Sequence, residues 1–161
     1  MASELPIIDR LKKELAELQH ELTHKIPKEL QEAASHGDLS ENAEYDAAKS
    51  RQEYVRARIG QLTGRMRELS LYNLQSIPEG VVAYGSKVTV EDLDEGGVQA
   101  FEIVFPEEVK PAEGMISIGS PLGRALLNRT VGEEIEVQTP RGKRSYQITE
   151  LTTLHQRGPK A

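Results

Sequence analysis

The chain contains no cysteine. A disulfide framework and a zinc–thiolate site are therefore both excluded, and the absence suits a reducing cytosol. Long apolar runs are missing as well. No stretch approaches the roughly 20 residues that a membrane helix needs, and residues 1–30 lack the apolar core of a signal peptide. A cytoplasmic protein without a membrane partner is expected. Positive charge is short: 20 Lys and Arg stand against 26 Asp and Glu, a net charge of −6. Bulk electrostatics thus argue against a free-standing nucleic-acid binder, although a local basic patch could touch nucleic acid if another protein supplied most of the affinity. There is no P-loop and no HExxH motif. His20 and His24 are spaced i, i+4 on a helix face but lack a third ligand for zinc. Phe101, Phe105, Tyr84 and Tyr146 are too few and too sheet-like for an aromatic proline pocket, which argues against a peptidyl-prolyl isomerase. With 37% hydrophobic residues in 161, the composition suits two small domains better than one thick core.

What is present divides into two kinds of sequence. Leu11, Leu15, Leu18 and Leu22 form a coiled-coil seam. Ile26, Leu30 and Ala33 continue it with a changed step, which locally unwinds a supercoil. Pro27 falls at that step and predicts a kink. Val55, Ile59, Leu62, Met66 and Leu69 form a regular second helix. The connection is short, so the helices should be antiparallel, with the first running from Asp9 to Ser35. Aligning Leu11 with Leu69 and Leu18 with Leu62 sets Glu14 against Arg65, Glu21 against Arg58, and Lys28 against Arg51, a like-charge pair next to the turn.

After the linker "NLQSIP" the period becomes two. "KVTVEDL", "FEIVF" and "MISI" read as strands, with Val88 and Val90, then Phe101, Ile103 and Phe105, on single faces. "SPLGRALLN" reads as a short helix capped by Ser120 with Pro121 at its first position. "EEIEVQT" and "RSYQITEL" form a final hairpin, and the tail "HQRGPKA" should fray. The fold class is α+β in two domains: residues 1–75, a coiled-coil hairpin with an acidic tip, and residues 79–155, a twisted antiparallel sheet with a short helix.

The turn between the helices, "SHGDLSENAEY", concentrates acids. Gly37 suits a helix C-terminus. Asp38 and Glu41 fit a D-x-x-E cap, and Ser40 is a second N-cap candidate. The same two carboxylates could instead be Mg²⁺ ligands. Two acids alone hold the ion weakly, so a second macromolecule would have to supply the other ligands.

"HGDLSENAEYDAAKSRQ", "ISIGSPLGRALLN" and "VQTPRGKRSYQITEL" together resemble the Gre family of bacterial transcript cleavage factors, over nearly the whole chain. The beginning, "MASELPIIDR", departs from the family pattern. The resemblance implies a hairpin followed by a domain like an FK506-binding protein. It implies a monomer whose second domain docks at the rim of the RNA polymerase secondary channel, with Ser120, Pro121 and Leu122 in the contact. The hairpin would enter the channel, where Asp38 and Glu41 would help hold Mg²⁺ shared with the polymerase. The polymerase would then cleave the backtracked nascent RNA near its 3′ end, the factor itself being no enzyme. An inhibitory paralogue that only binds is disfavoured by the intact Asp38 and Glu41. Tyr45 either stacks near the RNA end or packs against Ala34.

Between Lys49 and Arg67 there are six basic residues and one acid, Glu53. Arg58 and Arg65 have partners in the expected alignment; Lys28, Lys49, Arg51 and Arg56 do not. Lys49 and Arg51 are therefore read as contacts to phosphates of the RNA 3′ segment.

Overall fold

In the computed structural model of the protein, residues 5–36 and 42–157 are described. The chain forms two compact units, Met1–Gln75 and Ser76–Ala161.

The first unit is a pair of helices. α1 spans Pro6–His20 and α2 spans Ile26–Ala34, joined by a π-helical turn at Glu21–Lys25; α3 spans Ala43–Leu69. The first helix thus starts three residues before the expected Asp9, with proline in its opening turn, where no intrahelical N–H is required. The step in the heptads at Ile26 takes the form of the π turn, closed by the Ile26 N–H donating to the Glu21 carbonyl. Pro27 explains it: proline cannot donate, and its ring crowds the carbonyl four residues back. A wider turn just before it relieves that crowding without breaking the helix. The additional residue also keeps the seam on one face. Leu11, Leu18, Ile26 and Ala33 are all buried, spaced seven, eight and seven. Ala48, Val55, Leu62 and Leu69 are buried on α3, spaced seven throughout. Leu15, Leu22, Leu30, Ile59 and Met66 are half-buried, because a two-helix hairpin closes only one column of its seam.

The alignment of the helices differs from expectation by one heptad. Arg51 pairs with Glu21 at 2.6 Å and Arg58 with Glu14 at 3.1 Å, while Arg65 contacts Glu68 on its own helix at 3.0 Å. Each acid meets the arginine seven residues nearer the tip than predicted, and the like-charge pair Lys28–Arg51 does not form.

The second unit is a five-stranded sheet in the order β3-β2-β1-β5-β4. Its strands are β1 Lys87–Asp92, β2 Val98–Val104, β3 Met115–Ser117, β4 Glu134–Thr139 and β5 Gly142–Thr152, and α4 (Pro121–Leu126) follows β3. The sheet is mixed, not purely antiparallel, since β3 runs parallel to β2 with Ile103 opposite Ile116. The two 3₁₀ turns at Pro106–Glu108 and Pro111–Glu113 lie in the connection that carries the chain back for this pairing. Val82, Val88, Val90, Ile103, Leu126, Ile135, Val137 and Ile148 form the core, with α4 against β4. Phe105 stacks on Tyr84 at 4.6 Å. The Tyr84 hydroxyl donates to Glu108 at 2.9 Å, and burial pushes its pKa well up.

The described part of the tail, residues 155–157, is anchored through Arg157, contrary to the expected fraying; residues 158–161 lie outside the described residues. Arg157 forms an ion pair with Glu102 and donates to the Gly85 carbonyl at 2.8 Å. Gly85, at φ 81°, is pressed so closely by Leu154 that a Cβ there would lie 2.7 Å from it. His155 Nε2 lies 2.9 Å from the Ile77 carbonyl.

Candidate functional site

The neck of the hairpin is organised by one side chain. Asn42 precedes α3 in extended conformation, and its Oδ1 accepts the Tyr45 N–H at 3.1 Å. Its Nδ2 donates to the Ala33 carbonyl in the last turn of α2 at 2.5 Å. One amide thus satisfies an orphan donor of α3 and reaches a carbonyl at the end of α2 that also accepts the His36 N–H at 3.2 Å. Reversing the amide would set donor against donor and acceptor against acceptor, so the network fixes its orientation. The cap of α3 is therefore Asn42, not Asp38 or Ser40. The sequence signal was the asparagine directly before the acidic first turn of Glu44 and Asp46.

Asp38 and Glu41, with Gly37 and Ser40, lie outside the described residues. Beside them in sequence, His36 Nδ1 lies 3.1 Å from Glu44 Oε2. An open cavity of about 380 Å³ is lined by Glu29, Glu32, Ala33, His36, Glu44 and Ala48 among others. Among the described residues no group of three or more His, Asp or Glu side chains could hold a metal ion. Carboxylate oxygens suit Mg²⁺ in kind, but Asp38 and Glu41 fall short of six ligands in number. Tyr45 is half-buried.

The basic run sorts differently from its sequence reading. Arg51, expected at the RNA for want of an acidic partner, has one in Glu21. Its Nε and Nη2 meet the two Glu21 oxygens at 2.6 and 2.9 Å, and its guanidinium lies 5.0 Å over the Tyr54 ring. The side-chain hydrogen bond from Arg51 holds the Glu21 carboxyl below its ordinary pKa. Lys49 is exposed, and among the described residues its Nζ donates to the Gln52 side-chain oxygen Oε1 at 3.4 Å. Among the described residues Lys28, Lys49, Arg56 and Arg67 have no acidic partner. Steps of seven and eleven put Lys49, Arg56 and Arg67 on one line of α3, so the unpaired cations form a stripe that counting charges did not resolve.

At α4, Ser120 Oγ accepts the Gly123 N–H at 3.0 Å and its hydroxyl donates to the Ser117 carbonyl at 2.7 Å. Pro121 is exposed and Leu122 is partly packed against the core. Gly123 is required by close approach: a Cβ there would stand 2.2 Å from the Ser117 carbonyl oxygen.

A helical hairpin with acids at its turn, joined to a small mixed sheet, is the pairing found in one class of transcription factors. Residues 7–70 match the family model "Transcription elongation factor, N-terminal", and residues 77–153 match "Transcription elongation factor, GreA/GreB, C-term". The chain belongs to the GreA/GreB family of transcription elongation factors. It is 42% identical to transcription elongation factor GreA of Syntrophobacter fumaroxidans over 143 residues, covering 89% of this chain and 92% of that one. It is 40% identical to GreA of Neisseria meningitidis serogroup A, covering 88% and 90%. Among solved structures, GreA factor homolog 1 (Gfh1) of Thermus thermophilus is 29% identical, covers 90% of this chain and 94% of that one, and superposes with a TM-score of 0.41. Among the described residues no helix is long and apolar enough to cross a membrane.

Proposed function

We propose that the protein binds bacterial RNA polymerase as a monomer, presents its hairpin tip through the secondary channel, and stimulates magnesium-dependent hydrolysis of backtracked RNA. The observation that carries this reading is the hairpin itself. α3 alone is 27 residues, about 40 Å at 1.5 Å per residue, and it is joined to α2 by a segment holding Asp38 and Glu41. In this reading those two carboxylates complete a metal site whose remaining ligands belong to the polymerase. Magnesium held there would supply an activated water and neutralise charge on the phosphate. The chain's own part is to deliver and orient the acids. Hydrolysis of one phosphodiester bond consumes one water and frees a short 3′ fragment. Lys49, with Arg56, faces the phosphates of the extruded RNA; Arg51 is assigned to the stem. Ser120, Pro121 and Leu122 belong to the polymerase contact, with exposed Pro121 as its touching residue.

Cleavage of a stalled, backtracked polymerase complex tests the reading. Asp38→Asn and Glu41→Gln should each abolish the added cleavage while polymerase affinity stays near that of the parent. The purified protein alone should show no nuclease activity. Normal cleavage by either variant would remove that residue from the metal site. Lys49→Ala with Arg56→Ala should raise the factor concentration needed and flatten the salt dependence.

A further inference from the structure

We infer that Asn42 is a positioning residue: its bridge from the start of α3 to the Ala33 carbonyl sets the separation between the two ends of the acidic segment. The inference rests on the reading of Asp38 and Glu41 given above.

The argument starts from what a cap requires. Asn, Asp and Ser cap helices about equally, because each offers one oxygen to an N–H of the first turn. At Asn42 that oxygen is used on Tyr45. Capping leaves the other half of the amide without a task, yet here it donates across the neck at 2.5 Å. Ala33 is itself buried, with 3% exposure, so its carbonyl sits at a fixed place in the seam. The bridge therefore ties the first residue after the acidic segment to the packed core of the opposite helix. A second tie, between His36 and Glu44, is carried by exposed side chains with 61% and 71% accessibility. Exposed pairs of that kind constrain little. The described residues that flank positions 37–41 are thus tied across the neck chiefly by the Asn42 amide. A ligand pair shared with another protein tolerates small errors badly, since misplacement by about 1 Å can cost about a hundredfold in rate.

Asn42→Ser separates the two halves of the amide. It keeps the capping oxygen, removes the bridging donor and adds no charge. In the full-length protein, the helical circular dichroism, the melting temperature and the protection of the Tyr45 amide from hydrogen exchange should remain those of the parent. Amides of Ser35 and His36, in the turn that Asn42 braces, should exchange at least fivefold faster. In backtracked polymerase complexes the half-saturating factor concentration should be unchanged. The cleavage rate at saturation should fall at least fivefold, and the Mg²⁺ concentration for half-maximal rate should rise. Parental exchange at Ser35 and His36, or parental cleavage at every Mg²⁺ concentration, would overturn the inference. So would a loss of activity that merely follows a lowered melting temperature. Asp38→Asn and Glu41→Gln run beside it: if they cleave normally, the reading of the tip falls and takes this inference with it. If they are inactive and Asn42→Ser is not, the inference alone is refuted.

Discussion

Replacing Arg157 by alanine should weaken the second unit far more than its position near the chain end suggests. The guanidinium stands between the Glu102 carboxylate and the Gly85 carbonyl, with side-chain accessibility of 16% for Arg157 and 8% for Glu102. Removing one partner of a buried pair typically costs about 3–5 kcal/mol, because the remaining charge stays out of water without compensation. The arginine is not fully enclosed, so water can partly hydrate the freed carboxylate; the lower end, about 3 kcal/mol, is the expected value. For a unit of this size each kcal/mol displaces the midpoint by about 4–8 °C. A fall of about 12–24 °C is expected in the transition of the second unit, followed by circular dichroism at neutral pH. Arg157→Ala combined with Glu102→Gln should recover part of the loss, since the abandoned group is then neutral. A single variant melting within about 3 °C of the parent, or a double variant no more stable than the single, would refute the claim that a buried pair locks the tail.

Gly60 and Gly64 lie inside α3 with nothing within 4 Å of a Cβ, so changing each to alanine should stabilise the hairpin by about 0.5–1 kcal/mol, seen as a higher melting temperature. Gly123→Ala should do the reverse by about 1–3 kcal/mol, because its Cβ would meet the Ser117 carbonyl at 2.2 Å; an unchanged melting curve would show that α4 yields freely. The folded-state pKa of Glu21 is depressed by Arg51, so its contribution is present above the unfolded value and is lost as pH falls through the folded one. The stability gap between the parent and Arg51→Gln should therefore be constant near neutrality and close below about pH 4.

How much of this could be read from residues alone depended on the range of the interaction. The heptads named Leu11, Leu18, Ile26, Ala33, Val55, Leu62 and Leu69 of the buried column but missed Ala48, and alternation placed Val88, Val90 and Ile103 in the sheet core. The helix alignment failed for a definable reason. Arg51, Arg58 and Arg65 repeat every seven residues, so the charge pattern is nearly satisfied again after a slide of one heptad. The neck adds a contact between Asn42 and a backbone carbonyl, which carries no side-chain signature. The parallel strand β3 was hidden because three residues fix no direction of pairing. The anchored tail was hidden because Glu102 and Arg157 are far apart in sequence. At the neck the cap was misplaced: Asp38 and Ser40 stood out by residue type, whereas Asn42, which caps α3 and reaches the Ala33 carbonyl, was passed over because its second contact is to backbone.

The wide turn at Glu21–Lys25 bears on how such a stem can change through evolution. In either helix, gain or loss of one codon rotates every residue beyond it by about 100° and turns the buried column out to water. Between Leu18 and Ile26 the outcome differs. Deleting one residue there converts a spacing of eight into seven and leaves both halves of the column facing α3. This short segment is where the length of the stem can drift by single residues, and where an indel separating two lineages can be neutral.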